Sequence, residues 1–368
     1  MRGKGHEIVT AALLLGALAL GGATLLLRTP DEVSAAERRA LAGKPLFSLE
    51  RLVSGRYFSD LEAYVQDQFP LRDGLRGLAA ASRLYLFRQG DSNGLTPWEN
   101  AVYKPDAALD EGQIRYAANL IGTLASTFPA GVNSYVAVIP DKADYVAAQL
   151  RRPLADYERL CEILRETLGG AVGEIPLRDC LDEQDYYRTD THWRQERLGR
   201  VVDRLAESMG LPLRFSDTAY EESGVSPFYG VLYGQLALPL PSERLTYLRS
   251  GALEDARVYY HDEDAYGAVY RLDKREGMDP YDLFLGGATT CVTIENENAA
   301  TDRRLILFRD SFGSSLAPLL VAQYRQIVLI DLRYAASAYL ERYVTPEPGD
   351  DVLFLYSAMI LNRGRTLR

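Results

Sequence analysis

Histidine is scarce in this chain of 368 residues: there are three, His6, His192 and His261. His6 stands at the N-terminus ahead of an apolar run, so imidazole chemistry in the folded body rests on His192 or His261, and a multi-histidine metal centre is excluded. Cysteine is as rare. Cys161, Cys180 and Cys291 are too few and too scattered for a four-cysteine zinc site, and their odd number argues against a disulfide framework. Cys161 and Cys180 remain able to pair, with three small buried hydrophobes as the alternative. Neither a GxxxxGK[ST] phosphate loop nor a GxGxxG turn occurs, and no cofactor or metal is called for. Lysine is thin too: Lys4, Lys44, Lys104, Lys142 and Lys274 are the lysines among 41 basic residues, and the arginines that make up the rest are spread without a patch. A formal net charge of -10 makes a poor partner for phosphate backbones, so nucleic acid is set aside. A 47% hydrophobic, 25% charged composition is globular, which argues against disorder and against a multi-span membrane protein.

One long apolar run is present. Ile8 to Leu27 is uncharged and mostly aliphatic, preceded by Arg2 and Lys4 and closed by Arg28. As a helix it spans about 30 Å, the thickness of a bilayer's hydrocarbon core. It outlasts a secretory h-region, and the nearest small-residue cleavage site, near Ser34 to Ala36, lies past its end; an uncleaved signal anchor is therefore favoured over a cleaved signal peptide. Residues 1–7 are then a cytoplasmic stub, 8–27 the transmembrane anchor and 28–59 a stalk, helical in part through Glu32 to Arg38. The domain over 60–368 lies outside the cytoplasm, because the positive flank stays in.

Helical spacing of Leu61, Tyr64 and Val65, then of Leu75, Leu78, Leu84 and Leu86, broken at Pro70, predicts helices over Asp60–Phe69 and Arg72–Arg88. Beyond a turn at Gln89–Gly94, helices alternate with short apolar runs. Helices are predicted over Glu111–Phe128, Leu154–Leu168 and Arg194–Met209. Strands are predicted over Ser134–Ile139, Gly173–Leu177, Arg303–Phe308, Ile327–Ile330 and Val352–Leu355. That order implies βαβ units and an α/β fold with a parallel sheet flanked by helices. Residues 211–300, rich in Tyr, Gly, Pro and acidic side chains, break the alternation and are expected to form an insertion over one end of the sheet.

Two segments carry chemistry. Tyr187-Arg188-Thr189-Asp190-Thr191-His192-Trp193 pairs a histidine with an aspartate two residues before it. Leu305-Ile306-Leu307-Phe308-Arg309-Asp310-Ser311-Phe312-Gly313 runs a buried strand into a helix start and presents Ser311 at the turn. A serine there sits beside the free N–H groups of a helix N-terminus, which can stabilise an oxyanion. Taken singly, Asp-Ser is a common helix cap and a histidine beside a tryptophan is commonly structural. Together they supply a nucleophile, a base and the third group that fixes the base's tautomer.

These two segments, with Asp331-Leu332-Arg333-Tyr334, resemble the bacterial DHHW-motif protein family, which is similar to the SGNH-like O-acetyltransferases of alginate acetylation. Asp67–Arg72, Ile139–Lys142, Phe228–Tyr233 and Tyr281–Gly287 resemble its recurring blocks. The resemblance implies an SGNH-hydrolase-like domain with Ser311 as nucleophile, His192 as general base and Asp190 as its orienter. Thr191 stands where the family name has histidine, and Arg309 where glycine often precedes Asp-Ser, which bears on the tightness of that turn. Oxyanion donors are expected from Ser311 N–H and then from Gly286-Gly287. Arg333 is read as an acceptor-binding residue or, alternatively, as the salt-bridge partner of Asp331; His261 is read as solvated or structural. The expected activity is transfer of an acetyl group onto, or off, a cell-envelope or secreted polysaccharide through an acetyl-serine, with a multi-span membrane O-acyltransferase as the implied partner. The negative charge favours a neutral or weakly charged glycan. A catalytically silent polysaccharide-binding or scaffold protein of an export complex is the alternative, and an ordinary lipid esterase a third.

Overall fold

A computed structural model describes residues 3–368, so Met1 and Arg2 of the expected stub lie outside the described residues. The chain divides into two compact units, residues 1–93 with 233–239, and residues 94–232 with 240–368. The boundary at Asn93 means that residues 60–93, expected with the large domain, fold with the N-terminal unit.

In the first unit, helix α1 (Gly3–Leu27) contains Glu7–Leu25, a stretch long and apolar enough to cross a membrane. The stretch read as helical in the stalk is instead a small hairpin, Val33–Ser34 paired antiparallel with Arg39–Ala40. Ser34 Oγ accepts from Glu37 N–H and closes the turn, a local bond that competes with helix formation. Helices α2 (Arg56–Gln68) and α3 (Arg72–Ala81) follow, and α3 runs on into a π-helical turn over Ser82–Leu86. The Asp67-Gln68 pair ties them to the hairpin region: Asp67 takes both Arg39 nitrogens and the Ala42 N–H, and the Gln68 amide reads both backbone groups of Asp31.

The second unit is an α/β domain. In chain order its elements are α4 (Glu111–Thr127), β1 (Asn133–Ile139), α5 (Tyr157–Leu168), β2 (Gly173–Glu174), α6 (Gly199–Met209), β3 (Glu221–Phe228), β4 (Glu243–Arg249), β5 (Arg257–Tyr260), β6 (Ala265–Gly267), β7 (Cys291–Glu295), β8 (Thr301–Arg309), α7 (Ser311–Leu320), β9 (Tyr324–Ile330) and β10 (Asp351–Ser357). The eight-stranded sheet runs β6-β5-β7-β9-β8-β10-β1-β2. Strands β9, β8, β10, β1 and β2 are parallel, and β7, β5 and β6 extend the sheet antiparallel from β9. Part of the expected insertion is therefore sheet: β5, β6 and β7 complete its edge, and only β3 and β4 form a separate two-stranded ribbon.

Alternation explains why the central strands read as unbroken apolar runs. Leu305 and Leu307 of β8 join one core with α6 and α7, while Ile306 and Phe308 join the other with α4 and α5. Both faces are covered, so each of Leu305–Phe308 is buried. Cys161, Cys180 and Cys291 are free thiols within these cores. Because β1, β8, β9 and β10 are parallel, Lys142, Asp310, Asp331 and Ser357 follow or end their strands on one edge of the sheet, and the site is built there.

Candidate active site

Asp310 ends β8 and caps α7. Its Oδ1 accepts the Phe312 N–H at 3.0 Å, and its Oδ2 accepts the N–H and hydroxyl of Ser357, at 2.9 and 2.7 Å, at the end of β10. The cap is thus Asp310, which leaves the Ser311 side chain free for other work. Ser311 Oγ lies 2.7 Å from His192 Nε2, and His192 Nδ1 lies 2.7 Å from Asp190 Oδ1. The three side chains form one line, with its histidine and its serine 119 positions apart. The Ser311 N–H makes no hydrogen bond among the described residues, whereas Gly313 N–H is taken by Asp310 O; it is available to an oxyanion.

The loop that carries the histidine is held on every side. A bridge between Tyr186 and Trp193, with Tyr187 N–H on His192 O at 3.0 Å, pinches its neck. The Trp193 indole N–H reaches Ser315 Oγ at 2.8 Å and thereby α7. Asp190 is fully buried, and its carboxylate also accepts the N–H groups of Thr191, His192 and Val231, at 2.7, 3.2 and 2.8 Å. These N–H donors fix the carboxylate with Oδ1 turned to His192 Nδ1; a proton on Nδ1 would leave Nε2 free to accept. Glu243 on β4 takes the Arg188 and Thr189 N–H groups, and Gly230 N–H meets Thr189 Oγ1. Gly230 must be glycine there, since a Cβ would strike the Thr189 carbonyl.

From the far side Lys142, at the end of β1, is buried and spends all three ammonium protons on loop carbonyls: Tyr187 at 2.9 Å, Arg188 at 3.1 Å and Asp190 at 2.6 Å. Burial pushes its pKa down to about 8, against the pull of Asp141, Asp190, Glu243 and Glu183. Among the described residues no three His, Cys, Asp or Glu side chains gather as a metal would need.

No family profile and no curated relative matches the sequence. Solved structures do match the fold. A DHHW family protein from Eubacterium siraeum DSM 15702 superposes with a TM-score of 0.61 at 19% identity, over 75% of this chain and 94% of its own. The chain has the fold of that DHHW protein. PatB1 of Bacillus cereus, solved with a sulfonyl adduct, gives 0.56 at 16% identity, over 73% of this chain and 97% of its own. The O-acetyltransferase domain of Pseudomonas putida AlgJ gives 0.44 at 14%, over 73% and 92%. The DHHW resemblance read from sequence motifs is thus matched, in fold, by the Eubacterium siraeum protein.

Other expected site residues fall elsewhere in this DHHW-type fold. Gly287 does not offer its N–H, which is bonded to Phe284 O; it turns its carbonyl to the buried Arg309 guanidinium instead. Gly286 and Gly287 have φ of 76° and 75°, so their glycine character serves the turn itself. Arg333 closes on Asp331 with Nε at 2.9 Å and a second nitrogen at 2.6 Å, the salt-bridge alternative. Arg309 is compatible with the Asp-Ser turn because Gly313, one helical turn on, leaves room where a Cβ would press on the arginine side chain. Its charge is shared between Thr289 Oγ1 at 2.8 Å and Asp331 at 3.6 Å. His261 is structural: Nε2 meets Thr293 Oγ1 at 3.0 Å between Tyr259 and Tyr343.

Tyr281 carries a role that its sequence block did not disclose. Its ring stacks on the His192 imidazole, centroids 3.9 Å apart and planes 11° from parallel, and its hydroxyl is fixed to Ser315 Oγ at 2.8 Å. Tyr281→Phe keeps the stack and should cost about 1 kcal/mol of stability with little change in rate. Tyr281→Leu frees the imidazole to tilt, and a misplacement of about 1 Å lowers kcat on the order of 10²-fold. Equal kcat for the two variants would remove Tyr281 from the positioning of the base.

Proposed function

We propose that this protein is an acyltransferase of the envelope, moving an acetyl group through an acetyl-Ser311 intermediate onto a polysaccharide hydroxyl. The observation that carries the reading is the unbroken Asp190–His192–Ser311 line, with both contacts at 2.7 Å. Ser311 Oγ attacks the acyl carbonyl carbon as His192 Nε2 takes its proton. The negative oxygen of the tetrahedral adduct meets the free Ser311 N–H at the N-terminus of α7. Collapse expels the donor's alcohol, which receives the proton from His192. An acceptor hydroxyl then gives its proton to His192 and attacks the acetyl-serine; a second collapse releases the acetylated sugar and restores the hydroxyl. Asp190 holds the imidazole tautomer throughout and stabilises the imidazolium.

Support for acetyl as the group and a glycan as the acceptor comes from the DHHW and alginate-type motif resemblance, and the sulfonyl adduct carried by PatB1 fits a fold of this kind that reacts with electrophiles. Helix α1 supports a membrane-anchored protein with its larger unit outside the cytoplasm, where a membrane O-acyltransferase would deliver the acetyl group. The close His192–Ser311 contact favours catalysis over a silent scaffold. Incubating the full chain with an activated acetyl ester and a neutral oligosaccharide should yield acetylated sugar by mass spectrometry. His192→Ala should lower that yield at least about 10³-fold, while His261→Ala should leave it near wild type. Loss in both variants alike, or in neither, would reject His192 as the base.

A further inference from the structure

Helix α3 is folded inside out for a water-soluble unit. Leu71, just ahead of it, and Leu75 and Leu78 within it stand at i, i+4 and i+7, one stripe at about 100° per residue. Tyr85 and Leu86 continue the run through the π turn. All of these are exposed, Leu71 at 83%, Leu78 at 64%, Tyr85 and Leu86 at 72% each. The charged residues of α3 lie off this stripe, and two of them face protein. Arg72 pairs with Glu37, and Arg76 binds Glu37 at 3.3 Å and the carbonyls of Gly234 and Gln235 at 2.9 and 3.1 Å. A soluble domain turns such a helix the other way, since apolar area left in water forfeits roughly 25 cal/mol per Å².

The same unit shows what lies beside the stripe. Gly21 of α1 lies against the Phe69 ring, and Tyr64 hydroxyl reaches Leu25 O at 3.4 Å. Phe69 is two residues before Leu71, so the stripe begins beside the last turns of the stretch able to cross a membrane. That is the depth at which the hydrocarbon core gives way to headgroups. Exposed Phe47, Phe58, Tyr85 and Phe87 belong to the same unit, and aromatic rings favour that interface.

We infer that α3 and its π turn form an interfacial helix that lies in the bilayer surface beside α1, its Leu71–Leu75–Leu78–Tyr85 stripe immersed in lipid and its Arg72–Arg76 side clamped to the unit. The inference rests on the anchor reading of α1. It makes the N-terminal unit a collar seated on the bilayer rather than a loose stalk.

The test uses the full chain in phosphatidylcholine–phosphatidylglycerol vesicles, with a fluorophore on single introduced cysteines at Leu14 in α1, at Leu78 and at Asp73. The native cysteines are buried and stay unlabelled in the folded protein. Quenching by nitroxide-bearing lipid is expected at Leu14→Cys and Leu78→Cys, severalfold above that at Asp73→Cys, with the reverse order for aqueous iodide. Lipid quenching at Leu14 but not at Leu78 overturns the collar alone. Its absence at both overturns the anchor reading and the collar with it. Protection of Leu78 from both quenchers would mean that protein, a second copy, covers the stripe, and also overturns the inference. Leu71→Ser with Leu78→Ser gives an independent readout: looser lipid contact at a Tyr85→Cys label, with unchanged quenching at Leu14.

Discussion

Ser311→Ala is expected to abolish acetyl transfer while leaving the fold intact. The hydroxyl makes one bond, to His192 Nε2, so its removal costs about 1 kcal/mol. Alanine is a good first residue for a helix, and the cap that holds α7 to β8 belongs to Asp310, which the change does not touch. The chemistry has no such reserve. Without Oγ there is no acetyl-enzyme, and what remains is the help of Asp190–His192 and the helix N-terminus to direct attack by the acceptor. Triad enzymes stripped of the nucleophile lose on the order of 10⁴-fold or more in kcat. A sulfonyl fluoride gives a second readout that needs no knowledge of the natural donor: intact mass should rise by one sulfonyl group in the wild type and not in Ser311→Ala. A variant that still transfers acetyl at the wild-type rate, or still gains the mass, would place the nucleophile elsewhere.

What the sequence disclosed and what it hid follow from the range of the interactions involved. The run Leu305–Phe308 reads as a doubly covered strand because burial on two faces leaves no polar position to confuse the period. Asp190 and His192 pair over two residues, so their partnership is local. Ser311 was identifiable from its strand-to-helix setting, and the join to His192 needed the family likeness, since 119 residues separate them. The pairing of β7 with β9 on one side and with β5 on the other is long-range, and a tyrosine-rich segment with few helical periods does not announce which edge it will extend. The hairpin of Val33–Ser34 with Arg39–Ala40 is hidden because Ser34's bond to Glu37 N–H competes with a composition that suits a helix. Gly287 resembled an oxyanion donor by residue type, but its N–H direction is set by the turn from Phe284. Arg309 was the residue least at ease in the sequence. Its place is intelligible only with Gly287, Thr289 and Asp331 around it, each from another segment.

Lys142→Met is expected to cripple the site from the opposite side of the loop. The Tyr187 and Asp190 carbonyls lose the ammonium, while the Arg188 carbonyl keeps the Val102 N–H at 2.8 Å. Each buried hydrogen bond lost with the ammonium costs about 1–3 kcal/mol, offset in part because a charge no longer has to be buried; a net loss of about 3 kcal/mol is expected in urea unfolding. The Asp190 carbonyl is the shortest of the three contacts and belongs to the residue that orients His192, so slackening it moves the base, and kcat should fall on the order of 10²-fold with KM little changed. The wild type supplies the same experiment by titration. The Lys142 pKa sits near 8 in the folded protein and at 10.5 for an exposed lysine, so between those values the unfolded chain holds more protons and linkage makes stability rise with pH. A neutral amine, however, offers two N–H donors to three carbonyls. Activity should therefore decline as pH passes about 8 while the midpoint of thermal unfolding holds or climbs, and the alkaline limb should be absent from Lys142→Met. A limb that persists unchanged in that variant, or a wild type whose activity and stability fall together, would show that Lys142 braces the fold without positioning the base.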